Sequence, residues 1–117
     1  MEAQAIKKHI RSSPRKMRLV IDLIRGKKAQ EALNILRLSP QVASEVAEQT
    51  LKSAISNLTN KAFDADQNIH DEDIYVKEVT VDQGVTMKRM LPAPMGRAYR
   101  LRKRSNHLKI VVATKEN

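Results

Sequence analysis

Two stretches of this chain, Ile74 to Asp82 and Leu108 to Ala113, are rich in β-branched residues and alternate as strands do. The segment between them offers a core almost nothing. That segment is about 25 residues long, more than a structureless loop inside a compact domain normally runs. From Gln83 to Lys115 the chain carries nine basic residues, Lys88, Arg89, Arg97, Arg100, Arg102, Lys103, Arg104, Lys109 and Lys115, and no Asp or Glu. Turn-forming residues cluster at Leu91-Pro92-Ala93-Pro94-Met95-Gly96. The simplest ordered solution continues both strands outward as a long β-hairpin that turns there. With roughly ten residues per side at about 3.3 Å each, such an arm reaches about 30 Å. No helix is at hand to cover Met87, Met90, Leu91 and Met95, and an isolated two-stranded ribbon is marginal in water. The arm is therefore expected to be mobile in the free protein and to order against a partner.

Charge narrows the partner. The formal net charge is +9, and the Gln83–Lys115 stretch alone matches it, because the residues before it carry 13 basic against 12 acidic groups. A second basic block, Lys7 to Lys28, holds nine basic residues against the single acid Asp22, while Ala29 to Asp82 reverses sign. Excess charge gathered into blocks is suited to a polyanion, most commonly nucleic acid, where each neutralised phosphate releases a counterion. A fold that brings both blocks to one side would complete the surface.

The rest reads as one aliphatic domain of 117 residues, with one Phe, two Tyr and no Trp. Absence of Cys excludes disulfides, thiolate zinc sites and a cysteine nucleophile, and fits a reducing compartment. No apolar run approaches the ~20 residues of a membrane span, and the N-terminus lacks the apolar stretch of a signal peptide, so a soluble cytoplasmic protein is expected. Gln4 to Arg11 reads as a strand. Ser13-Pro14 caps and starts a helix carrying Met17, Val20, Ile21 and Ile24, which Gly26 stops. A shorter helix carries Ala29, Ala32, Leu33 and Leu36. Ser39-Pro40 repeats the start signal ahead of a long helix to about Asn60, with Ala43, Ala47, Thr50, Leu51, Ala54, Ile55 and Leu58 as its stripe. Phe63 to Asp73 reads as a polar loop.

Signals for chemistry are weak. Asp64, Asp66 and Asn68 imitate the opening of a calcium loop, but Ile69 stands where the sharp-turn Gly belongs and Tyr75 where the bidentate Glu belongs. A solvated turn is the better account. His9, His70 and His107 lie far apart without ligand spacing. His107, between Arg104 and Lys109, suits either a phosphate contact or an ordinary surface position. There is no Gly-rich phosphate loop, and no nucleophile–base–acid set emerges. Neither a cofactor nor a metal is expected.

Three strings carry a family resemblance: Arg11-Ser-Ser-Pro-Arg-Lys-Met-Arg-Leu-Val followed by Asp22-Leu-Ile-Arg-Gly-Lys; Leu51-Lys-Ser-Ala-Ile-Ser-Asn57; and KRMLPAPMGRAYRLRKRSNHLKIVV from Lys88. The last is the most specific, with Gly-Arg, a basic run and a His before an alternating strand. Over nearly its whole length the chain resembles the universal large-subunit ribosomal protein L twenty-two family in its bacterial form. The resemblance implies an α+β fold, with three helices on a small three-stranded antiparallel sheet and a long protruding β-hairpin, here about residues 84–104. It implies a non-enzymatic, monomeric constituent of the cytoplasmic ribosome. Its partners would be large-subunit ribosomal RNA, neighbouring ribosomal proteins and the nascent polypeptide, with no membrane involved. Carried onto this sequence, the RNA-binding set is Ser12, Arg15, Lys16, Arg18, Arg25, Lys27, Lys28, Lys88, Arg89, Arg97, Arg100, Arg102, Lys103, Arg104 and His107. The exit-tunnel tip is Met90, Leu91, Pro92, Ala93, Pro94 and Met95. Many family members carry an arginine near Ala93. Pro92-Ala93-Pro94 makes shape, rather than charge, the expected contribution of this tip.

Two other readings compete. DNA-bending proteins also use basic β-arms with a proline at the tip, but as obligate dimers with two arms. An RNA-modifying enzyme using His107 or His70 as acid–base would need a pocket of convergent polar groups.

Overall fold

In the computed structural model, residues 1–92, 94–96 and 98–114 are described. The element order is β1 (Glu2–Ile10), α1 (Pro14–Ile21), α2 (Ala29–Leu38), α3 (Val42–Asp64), β2 (Ile74–Gln83), β3 (Met87–Pro92), β4 (Ala98–Lys103) and β5 (Asn106–Thr114). The fold is α+β. Three strands form an antiparallel sheet in the order β1-β5-β2, and β3 with β4 forms a separate two-stranded ribbon.

β5 is paired on both edges, and from Leu108 to Ala113 all its residues but Lys109 are buried. Leu108, Ile110 and Val112 meet Val76, Val79 and Val81 of β2 and Ala5 of β1 in one aliphatic core. Helix α3 covers this sheet with Ala47, Leu51, Ala54, Leu58 and Ala62, spaced three and four apart. The alanines let the helix approach closely, and the leucines fill the space beneath. Met17, Val20 and Ile21 of α1 and Ala32 and Leu36 of α2 complete the core.

Helix α1 begins where Ser13 accepts a hydrogen bond from the Lys16 N–H, with Pro14 in the first turn. It ends at Ile21. Residues 22 to 25 then tighten through i→i+3 bonds, and Gly26, at φ 78°, turns the chain onto β2, where its N–H donates to Val76 O. The third helix departs from the expected start. Ser39 ends α2 in an extended conformation, as a residue before proline favours, and α3 begins only at Val42 with Gln41 as its cap. At its far end α3 runs on to Asp64, because Ala62 extends the buried stripe past Leu58. Half of the expected loop beginning at Phe63 is thus displaced by helix and by a short 3-10 turn at Asp71–Asp73.

The hairpin ladder is interrupted. β2 stops at Gln83 and β3 starts at Met87, so the ribbon is joined to the sheet by a break rather than continuing it. At the break Gly84 N–H donates to Ser105 O, and Ser105 Oγ–H donates to Val85 O. A Cβ on Gly84 would stand 2.5 Å from Ser105 Oγ and 3.2 Å from the Ser105 carbonyl carbon, so a larger residue here would have to turn the Ser105 hydroxyl aside and shift its backbone. The ribbon gives the molecule extents of 67 × 26 × 17 Å and a radius of gyration of 17.7 Å, against about 13 Å for a compact chain of this length.

Leu51→Ala and Leu58→Ala each remove a fully buried side chain beneath α3 and are expected to cost about 2–5 kcal/mol. Ile55, only half-buried at the side of the stripe, is expected to cost less. Thermal melts of the three variants check the assignment; a parental melt for Leu51→Ala would place the core on another helix face.

Candidate nucleic-acid interface

The ribbon carries its charge on both faces. Opposite residues of an antiparallel pair share a face, so Lys88 with Arg102 and Met90 with Arg100 lie on one side. Met87 with Lys103 and Arg89 with Leu101 lie on the other. Every residue of β3 is exposed, and so are Arg100, Arg102, Lys103 and Arg104. Lys88 directly opposite Arg102 is a like-charge cross-strand pair, which repels in water and is relieved when a polyanion binds across it. At the turn, a 3-10 segment spans Pro94–Gly96, and Met95 and Gly96 both adopt left-handed φ values, 66° and 71°. Met95 is 95% exposed, and Met90 and Leu91 are exposed as well. Arg97 and Ala93 lie outside the described residues.

The N-terminal block lies on α1 and the turns around it. Arg15 and Lys16 project from the first turn of α1, which contains no acidic residue, so the positive end of the helix dipole adds to their charge. Lys27 and Lys28 are exposed, on a segment held to β2 by Val76 N–H donating to Lys27 O and by a Lys28–Tyr75 bridge. Arg18 and Arg25 are engaged within the protein. Arg18 Nη2 donates to Val81 O at 3.0 Å; Arg25 Nη2 donates to Val79 O at 3.0 Å, and its Nη1 to Asp22 at 2.8 Å. These two guanidiniums close the free edge of β2. Each has further N–H groups left to offer a phosphate. On the far outer strands, Lys77 donates to Glu2 and thereby holds the Glu2 carboxyl below its usual range.

Both blocks converge. Ile10 at the end of β1 and Gln83 at the end of β2 pair with the same residue, Asn106. Arg11 and Ser12 therefore leave the sheet beside Arg104 and the root of the ribbon. The side chain of Asn106, fully buried, donates from Nδ2 to both Ser12 O and Ser12 Oγ at 2.8 Å. His107 Nδ1 accepts the His9 N–H at 3.1 Å, and the two rings meet edge to face at 5.1 Å. Asn106, His9 and Gly84 gave no sequence signal of this junction; each acts through a partner distant in the chain or through a missing side chain.

Among the described residues no group of three or more His, Asp or Glu side chains is placed to hold a metal. Asp64 ends α3, and Asp66 follows in a left-handed turn. No described helix is long and apolar enough to cross a membrane.

A model of the family described as Ribosomal protein L22p/L17e matches residues 5–113. The chain belongs to this family. It is 54% identical over 114 residues to the large ribosomal subunit protein uL22 of Chlorobium phaeobacteroides, covering 97% of this chain and 96% of the relative. It is 55% identical over 117 residues to the protein of the same name from Chlorobium phaeovibrioides, covering 100% and 97%. With that of Bifidobacterium longum it shares 50% over 116 residues, covering 99% and 98%. The L22p/L17e family is a family of structural ribosomal proteins, not of enzymes, which removes the RNA-modifying reading.

The uncovered, self-repelling ribbon is expected to exchange its amide hydrogens fast from Met87 to Leu91 and from Ala98 to Lys103 in the free protein, while β5 exchanges slowly. RNA is expected to protect the ribbon by supplying counter-charge and surface. Hydrogen-exchange mass spectrometry with and without RNA reads this directly. Slow exchange in the free ribbon would mean that it packs on its own body.

Proposed function

We propose that this chain is a structural constituent of the large ribosomal subunit that binds large-subunit ribosomal RNA, supports subunit assembly and lines the peptide exit tunnel with the tip of its ribbon. It acts as one folded unit of residues 1–117, with residues 84–104 as its arm, in the cytoplasmic ribosome. The observation that carries the reading is the meeting of Ile10 and Gln83 at Asn106, which sets the N-terminal basic block beside the root of the basic arm.

Arg15, Lys16, Lys27 and Lys28 anchor RNA at the body, and Lys88, Arg89, Arg97, Arg100, Arg102, Lys103 and Arg104 anchor it along the arm. Arg18 and Arg25 add outward donors from the edge of β2 they close. Ser12 and His107 belong to the same surface. Neighbouring ribosomal proteins meet the exposed apolar side chains Leu19, Leu38 and Val42 near the start of α3. Met90, Leu91, Pro92, Ala93, Pro94 and Met95 form the tunnel tip and face the nascent chain. None of the six carries a charge, so the tip shapes a passage without gripping what moves through it.

RNA affinity is expected to fall steeply with salt, with a slope of roughly −0.7 to −0.9 per phosphate contacted. Replacing Arg100, Arg102 and Arg104 together by Gln is expected to flatten that slope by about two. Filter binding to a large-subunit RNA fragment across a salt series measures both. An unaltered slope would mean that these side chains do not face phosphate.

Deleting Leu91 to Met95 is expected to leave RNA binding and subunit assembly largely intact and to alter nascent-chain stalling or the action of tunnel-binding drugs. Sucrose-gradient profiles and a stalling reporter in cells carrying only the deletion decide it. Failed assembly would make the tip an anchor, and normal assembly with normal stalling would remove these residues from the tunnel role.

A further inference from the structure

We propose that Asn106 and His107 are positioning residues that clasp the N-terminal basic segment to the root of the arm, so that the two basic blocks present themselves to RNA as one preset surface. The inference rests on the RNA-binding reading above and assigns it a device.

The two residues are adjacent on β5, and side chains of adjacent strand residues point to opposite faces. Each nonetheless holds the same short segment, His9 to Ser12, from its own side. Asn106 does so from full burial. Its Nδ2 reaches two acceptors of one residue, the carbonyl and the hydroxyl of Ser12. This fixes the orientation of the amide, since the flipped form would set Oδ1 against the Ser12 carbonyl, acceptor against acceptor. Oδ1 itself accepts no hydrogen bond among the described residues, so what the geometry uses is donation to Ser12.

His107 works through the backbone. Its Nδ1 accepts the His9 N–H, so in the neutral ring the proton sits on Nε2. His9 has φ 59°, in the left-handed region that a side chain disfavours, and it lies where the β1–β5 register shifts between Lys7 and Ile10. The imidazole thus steadies a strained bulge, and the bulge sets the direction in which Arg11, Ser12 and the capped start of α1 leave the sheet. Two residues before Asn106, Arg104 leads into the arm. Presetting two linked binding elements raises the effective concentration of the second once the first is bound, without adding a contact.

The absence of cysteine makes the test direct. Arg11→Cys and Val85→Cys place spin labels at exposed positions on the two sides of the clasp, and pulsed electron paramagnetic resonance reads the distance between them. His107→Ala and Asn106→Ala are each introduced into this labelled protein and, separately, into the cysteine-free chain for RNA binding. The expected result is a broadened distance distribution together with about tenfold weaker binding to a large-subunit RNA fragment. Weaker binding with an unbroadened distribution would make these side chains direct RNA contacts and overturn the proposal; unchanged binding of a clasp-cut protein by the parental RNA would overturn it as well. Should Asn106→Ala fail to fold, His107→Ala, at a half-buried site, still decides. If the parent itself does not bind RNA, the functional reading fails, and an unbroadened distribution in His107→Ala would separately sink the clasp.

Discussion

Strand β5 is hydrogen-bonded along both edges, to β1 through pairs from Glu2–Ala113 to Ile10–Asn106 and to β2 from Ile74–Thr114 to Gln83–Asn106. One face of β5 puts Leu108, Ile110 and Val112 into the core, and on the other face Val111 and Ala113 are buried as well. Everything else is placed relative to it. α3 lays its alanine and leucine stripe over this sheet, Arg18 of α1 and Arg25 of the turn after it seal the β2 edge, and the ribbon departs from the end where β5 begins. The stability of the body therefore resides in a small aliphatic core, and the charged arm contributes nothing to it.

That division explains the distribution of charge. The acidic residues are confined mainly to the α2, α3 and β2 regions, where Glu48 pairs with Arg37 and Lys52 at the surface. Such exposed pairs add little to stability. The segment that holds most of the acidic residues, Ala29 to Asp82, carries ten acidic against four basic residues and is net negative, so the excess positive charge lies in the segments on either side of it. A uniformly basic surface would attract RNA in any orientation. A polarised one favours approach in a single orientation.

The fold class followed from the family resemblance, and the local signals placed most of its elements. Ser13-Pro14 and Gly26 bracket α1 and its closing turn because a cap hydroxyl and a left-handed stop are local chemistry, readable without knowing what lies across the fold. The same signal misled at Ser39-Pro40: Ser39 has the same extended backbone as Ser13, yet α3 begins only at Val42 with Gln41 as its cap. The arm was legible as charge without cover between two strands. The break at Gly84 was not, because it depends on how closely Ser105 approaches from the opposite side. For the candidate interface, sequence marked the charges. It did not mark that Arg18 and Arg25 also close a sheet edge, nor that His9 and Ser12 are held from residues almost a hundred positions away. Those roles arise from pairing register, which no local pattern encodes.

The ribbon's break from the sheet is consistent with the RNA-binding role proposed for it. A ladder running unbroken from β2 and β5 into the arm would pass the twist of the sheet along its whole length and fix the tip rigidly to the body. Here Gly84 and Ser105 interrupt the ladder while two hydrogen bonds across the break keep the strands together. Along β3 and β4 the like charges repel one another, as at Lys88 opposite Arg102. The ribbon is thus held at its root by those two hydrogen bonds, while its stems carry no acidic residue to offset their repulsion, a charge pattern that a polyanion relieves.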